Sequence, residues 1–179
     1  MPVTDTLAIR TAGITRWRDS YYKDVGPFHN HPDSLDEQAG RIGVMWQPGD
    51  FRALAKVEWV DKNTGGYAYR PIEGTTFENA RTDDIRELTY NAPTKNHERA
   101  FNSSLELRYE IDSDIVFRSL SGYTNKRINN LYDNDAALMP SVIDPTASFT
   151  QVQDQFVRER ELSQEFNIIS PTDGAFYWI

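Results

Sequence analysis

His29-Asn30-His31, with Asp33 and Asp36 close behind, has the strongest metal-ligand character in the chain. In extended backbone a His-x-His pair puts both imidazoles on one face, and nearby carboxylates suit the rest of a shell. The plainer reading is an exposed polar loop with two unrelated histidines. No second ligand cluster accompanies them, so no metal site is expected. The second stretch is Gly65-Gly66-Tyr67-Ala68-Tyr69-Arg70. Two phenol rings and a guanidinium suit a ligand gripped by stacking and charge pairing; the plainer reading is packing between neighbouring loops. No Lys-Ser or Lys-Thr follows the glycine pair, so it is not a phosphate-binding loop. No Ser-His-Asp arrangement stands out, and the three histidines fall in expected loops. The chain therefore reads as a non-enzyme without catalytic residues or cofactor. Tyr67, Tyr69, Arg70, His29 and His31 are the candidate ligand contacts.

Composition narrows what must position these residues. The formal net charge is −8 and the pI about 4.9, which argues against a nucleic-acid binder, since phosphate partners call for clustered Lys and Arg. Cysteine is absent, excluding disulfides, thiolate metal sites and a catalytic thiol. The mean hydropathy is −0.64, and no run of about 18 apolar residues marks a spanning helix. A membrane β-barrel escapes that test, because a spanning strand shows lipid on alternate residues only. Met1 to Leu7 has neither a basic nor an apolar region of the kind a secretory signal carries. The expectation is a piece of a longer exported chain.

Period-2 stretches are frequent and helical stripes weak. The first expected strand is Thr6 to about Ser20, with Leu7, Ile9, Thr11, Gly13, Thr15 and Trp17 on one face and three arginines among those opposite. A Pro, His, Asn and Asp-rich loop follows over Tyr21 to Asp36. The second strand is Gln38 to Gln47, and Pro48-Gly49-Asp50 is a tight turn. The third begins at Phe51 and runs to Trp59; these two aromatics bracket a short apolar stretch as girdle residues do. A long polar segment covers Asp61 to Phe101. The fourth strand, Ser103 to Ile111, alternates most cleanly, with Leu105, Leu107, Tyr109 and Ile111 on one face. Asp112-Ser113-Asp114 is a second tight turn. The fifth strand is Ile115 to about Lys126, its faces ambiguous. After a polar segment from Asn129 to Gln155, the sixth runs from Arg158 to Ile169, with Gln164, Phe166 and Ile168 on one side. Pro171-Thr172-Asp173-Gly174 is a third tight turn, and Phe176-Tyr177-Trp178-Ile179 begins a seventh strand.

The resulting fold class is all-β, an antiparallel meander of about six to seven long strands. Short connections, near Asp5, Gly49, Ser113 and Asp173, alternate with long ones. Outer-membrane barrels have short turns at one rim and long loops at the other, whereas soluble sandwiches have short connections at both ends. Alternation alone fits any half-buried antiparallel sheet. A soluble sandwich hides its Leu and Ile inside. A large barrel turns them outward and lets Arg10, Arg41, Lys56 and Glu106 face a wet lumen. The rivals are a soluble β-sandwich that binds carbohydrate through exposed Trp and Tyr, and a hydrolase fragment using acids such as Glu106 or Asp133.

Several stretches resemble the barrel of TonB-dependent receptors. They are Asp5 to Gly13 with Arg18-Asp19-Ser20-Tyr21-Tyr22-Lys23, then Gly40 to Pro48 with Phe51 to Glu58, then Phe117 to Tyr123, then Arg160 to Phe166 leading to Phe176-Tyr177-Trp178. They cover nearly the whole chain in family order. The resemblance implies a segment, spanning 1–179, of a large transmembrane β-barrel in the outer membrane of a Gram-negative bacterium. It implies a receptor that imports a scarce ligand such as a ferric siderophore, cobalamin or an oligosaccharide, driven by the TonB complex through a plug domain. The plug, the TonB box and the signal peptide are not among these residues. Seven strands are fewer than the about twenty-two of the family, so the expected partners are outer-membrane lipid, a plug and further barrel strands. Arg10, Arg16, Arg18, Arg41, Arg52 and Arg108 would pair with plug carboxylates or simply brace a solvated barrel wall. Transport by the segment alone is not expected.

Overall fold

Six long strands follow one another in a single antiparallel sheet. The computed structural model describes residues 2–112, 115–140 and 148–170. In chain order the strands are β1 (Leu7–Arg18), β2 (Lys23–Asp24), β3 (Leu35–Trp46), β4 (Phe51–Thr64), β5 (Glu87–Leu88), β6 (Lys95–Asp112), β7 (Ile115–Asp133), β8 (Met139–Pro140), β9 (Ser148–Phe149) and β10 (Val152–Ile169). The large sheet has the order β1-β3-β4-β6-β7-β10, with every neighbour antiparallel. The short strands form two-residue ladders in the long connections, β2 parallel to β5 and β8 antiparallel to β9. A single 3-10 turn covers Glu78–Ala80.

The turn at Gly49 forms as its residues dictate. Gly49 takes a φ of +60°, which costs a glycine little, and the Phe51 amide donates to the Pro48 carbonyl at 3.3 Å. Near Asp5, Thr4 closes the other expected short turn through its hydroxyl and carbonyl, both of which accept from the Leu7 amide. The long connections, 19–34, 65–94 and 134–151, all leave from the opposite end of the sheet. Residues 113–114, the third expected turn at 171–174 and the expected seventh strand at 176–179 lie outside the described residues.

Four strands run well past the expected ends. β4 continues from Trp59 to Thr64, β6 starts at Lys95 instead of Ser103, β7 reaches Asp133 instead of Lys126, and β10 starts at Val152 instead of Arg158. These extensions mix polar residues with scattered apolar ones on both faces, so the alternation that announces a half-buried strand vanishes. The ladder continues because backbone pairing needs no apolar side chain. Ion pairs support it, such as Lys126 with Glu98 at 3.0 Å. At the other end of β6 the register shifts between Glu110 and Asp112, so Ile111 drops out of the alternating set it was expected to join.

Register assigns every side chain to a face, because directly opposed residues share one. On one face lie Leu7, Ile9, Ile42, Val44, Trp46, Phe51, Ala53, Ala55, Val57 and Trp59, continued by Phe101, Leu105, Leu107 and Tyr109. The ambiguity in the fifth strand is resolved: Phe117, Ser119, Ser121 and Tyr123 join this face, opposite Ile168, Phe166, Gln164 and Leu162. The other face carries Arg10, Arg41, Lys56, Glu58, Glu106, Arg118, Glu161 and Glu165.

The sheet has one layer. The buried hydrophobic side chains, Leu88, Tyr90, Ala92, Ala136 and Ala137, all belong to the long connections. Within the six long strands the buried residues are Glu37, Ser119, Asn130 and Asp133, all polar. Meanwhile Ile42, Trp46, Val57, Trp59, Leu105, Tyr109 and Phe166 are exposed.

Candidate functional site

The long connections gather at one end of the sheet and pack on one another. Their centre is Tyr90, fully buried beside Leu88 and Ala136 with Tyr22, Ala68 and Tyr69 around it. Its hydroxyl lies 3.0 Å from the Tyr67 carbonyl and 2.9 Å from the Tyr69 carbonyl, and accepts the Tyr69 amide at 2.8 Å. Burial pushes the Tyr90 phenol well above its usual range.

Two buried aspartates clip loop backbones together. Asp24 accepts the amides of Gly26, Asn30 and Tyr90 at 2.9, 2.9 and 3.1 Å, and the Asn30 side chain at 2.8 Å. Asp133 ends β7 and accepts the amides of Asn91, Ala92 and Ala136 at 2.6, 3.1 and 3.1 Å. Each satisfied amide would otherwise be an orphan donor away from water, costing about 1–3 kcal/mol. Desolvation first, and then the Asp135 carboxyl hydrogen-bonded to it, push the Asp133 carboxyl up to about 7. Asp135 in turn accepts the amides of Ala137 and Gln151. Gly26 lies hard against the Tyr90 carbonyl, leaving no room for a side chain.

The candidate ligand contacts separate into held and free groups. Arg70 is held: its guanidinium donates to the Asp84 and Thr82 carbonyls at 3.0 and 2.7 Å. Tyr69 is held as well, packed at 5.8 Å from the Tyr90 ring with its hydroxyl on the Asp133 carbonyl. Burial, followed by the nearby Asp133, pushes its phenol up to about 12. Both side chains do the loop packing that was the plainer reading. Tyr67 is more than half exposed and stacks on Tyr132, with centroids 5.5 Å apart and planes 16° apart. It is the candidate best placed to stack on an arriving planar group.

His29 and His31 are exposed, and with Asp36, Phe28 and Lys95 they line a cavity of about 600 Å³. Asp33 is drawn away to Arg18, with which it pairs at 2.9 Å. Among the described residues no three His, Asp or Glu side chains converge as a metal cluster. His97, expected in a loop, lies instead in β6, where its Nε2 is 2.9 Å from Asp61 Oδ1.

On the charged face most of the arginines pair within the wall. Arg16 meets Glu37 at 2.6 Å, Arg108 meets Glu110 at 3.5 Å and Arg41 lies 4.0 Å from Glu58. Arg118 donates to Asn167 at 2.9 Å. Among the described residues Arg10 has no such partner, and Arg52 buries an Nε that finds no acceptor. The polar clips at Asp24, Asp133 and Asp135 escaped sequence reasoning. Their one local sign is an Asp shortly before loop residues that need an acceptor, as in Asp24-Val25-Gly26 and Asp133-Asn134-Asp135-Ala136. No protein-family model, no curated protein and no solved structure matches this chain.

Proposed function

We propose that the chain is a wall segment of an outer-membrane β-barrel, of the kind found in TonB-dependent receptors. One observation carries this reading: a single-layer sheet with one apolar face that no layer formed by the described residues covers. On that face an apolar band lies between two aromatic borders. Trp46, Phe51, Tyr109 and Phe117 mark the end with short turns; Trp59, Phe101 and Tyr123 mark the other. From Phe51 to Trp59 the strand rises about 27 Å. Tilted by about 40° as barrel strands are, it stands about 21 Å along the membrane normal, and the border rings at its two ends bring it near the apolar band of about 25 Å. Charge occupies the opposite face, as a wet lumen requires. The occupant of the apolar face is lipid acyl chain.

Strand extensions beyond the band, capped by packed loops, suit the aqueous rim where a ligand is met. In this reading Tyr67, His29 and His31 are ligand contacts, and Arg10 and Arg52 face the lumen toward a plug. The sheet edges at β1 and β10 need partner strands, since open edges are not tolerated in lipid. A soluble sandwich would need a second sheet over the apolar face. The ladders β2–β5 and β8–β9, two residues each, are too short to provide it.

Because cysteine is absent, single cysteines can be placed at successive positions of β4, residues 53 to 58, and tagged with an environment-sensitive fluorophore. In lipid or neutral detergent, odd positions should be quenched by a lipid-soluble quencher and even positions by iodide. Equal iodide quenching at all six would sink the reading.

A further inference from the structure

Just beyond the aromatic border, the apolar face turns basic. Arg99, Arg127 and Arg158 are direct cross-strand partners in one row across β6, β7 and β10. Arg160 lies in the adjoining row opposite Asn125, one alternate position above Leu162. Arg99 stands likewise one alternate position above Phe101, a step of about 7 Å, and Arg127 stands one above Asn125, the cross-strand partner of Phe101. Like charges placed directly opposite one another destabilise a sheet. Within the row Asp61 answers only Arg99, at 3.0 Å, and its other oxygen is taken by His97. Arg127, Arg158 and Arg160 are exposed and have no carboxylate partner among the described residues. A chain with net charge −8 thus concentrates unpaired guanidinium groups at the height where the apolar band ends.

We propose that this arginine row binds the phosphate groups of anionic lipids in the leaflet next to the long connections. The proposal rests on the membrane reading above. Charge complementarity selects the occupant: planar guanidinium groups take phosphate in paired hydrogen bonds, and the apolar band directly below takes the acyl chains of the same lipid. A lipid whose headgroup carries two phosphates can bridge adjacent arginines and remove the repulsion within the row.

The full chain in dodecyl maltoside micelles is titrated with lipid A, a bis-phosphorylated glycolipid, with phosphatidylcholine, and with inorganic phosphate, following tryptophan emission. Saturable binding of lipid A that weakens as salt is raised is expected, with no comparable response to the other two. Arg127→Gln and Arg158→Gln should each weaken it about fivefold, while Lys56→Gln on the opposite face leaves it unchanged. Far-ultraviolet circular dichroism of the variants separates lost contact from lost fold. Equal binding of phosphatidylcholine and lipid A, or variants that bind as the parent does, overturns the lipid site and leaves the barrel reading standing. Phosphate binding as tightly as lipid A makes this a free-anion site and also overturns it. A chain that takes up no detergent and stays folded in buffer overturns both.

Discussion

Asp133 shows how one side chain sets the order of several loops. Its carboxyl joins residues 91, 92 and 136 and has little water around it. Desolvation, joined by the hydrogen bond with Asp135, outweighs the amides of Asn91 and Ala92 and raises its pKa from 3.8 to about 7. The folded state therefore holds a proton that the unfolded chain releases near pH 4. Stabilisation from this group is fully present below that value and is lost as pH rises through about 7. The loops should accordingly open more readily at pH 8 than at pH 5. Hydrogen exchange at the Asn91 and Ala92 amides, corrected for the intrinsic pH dependence of exchange, measures this directly. Asp133→Asn keeps an acceptor and cannot ionise, so it should flatten the pH response. Equal corrected rates at both pH values in the parent protein would refute the argument. Asp133→Ala leaves the amides without an acceptor and should loosen the loops at every pH, by about 1–3 kcal/mol for each orphaned donor.

Along each strand, side chains two apart face one solvent, and a single step exchanges it for the other. Leu107 lies on the apolar face between Ala53 and Ser119, while Ser104 lies on the charged face beside Lys56. Leu105→Arg, midway on the same face between the border residues Phe101 and Tyr109, should destabilise the sheet in a bilayer by about 2–4 kcal/mol. Ser104→Arg should change little. Urea unfolding from lipid vesicles reads the difference, and equal costs would mean that both faces see the same medium. Trp59 gives a second handle. Its indole lies over Gly40, where an added Cβ would come within 2.6 Å of Nε1, so Gly40→Val should displace the ring and shift its emission. These elements were legible wherever apolar and polar residues alternate: residues 38–46 of β3, the first half of β4 and residues 103–109 stand where the sequence put them, whereas Leu35 and Asp36, expected in a loop, open β3. Residues 60–64, 95–102, 127–133 and 152–157 were not, because polar residues fall on both of their faces and leave no regular period. The loop clips were hidden for another reason. Asp24 and Asp133 act on partners some forty to sixty-six residues away, and no local pattern encodes that distance. Arg70 and Tyr69 looked free in sequence because aromatic and guanidinium groups serve ligand binding and loop packing equally well.

At the scale of the whole molecule, the uncovered face decides which solvent the chain can live in. Ile42, Trp46, Val57, Trp59, Leu105, Tyr109, Phe166 and Ile168 share that face and are exposed. Each is about half exposed and so forgoes roughly half of the about 1.5–3 kcal/mol that full burial of a large apolar side chain yields. Eight of them together forgo about 6–12 kcal/mol, as much as the whole net stability of about 5–15 kcal/mol that folded domains possess. The small core around Tyr90 cannot make up that deficit, since it orders loops and lies outside the six-stranded sheet. The edges add to the problem. Among the described residues β1 and β10 end the sheet order, and long unpaired edges recruit other chains. The chain in plain buffer should therefore associate through its apolar face and edges, appearing as precipitate or large oligomers in light scattering. Neutral detergent should return it to small, strand-rich particles, because micelles cover the face without competing for the backbone. Lowering the charge of the opposite face should leave this behaviour unchanged, whereas Trp59→Lys with Leu105→Lys should raise solubility in buffer. A monodisperse monomer in plain buffer with a cooperative thermal transition would mean that some other part of the chain covers the face. The lipid-facing wall, and the arginine row read against it, would then have to be abandoned together.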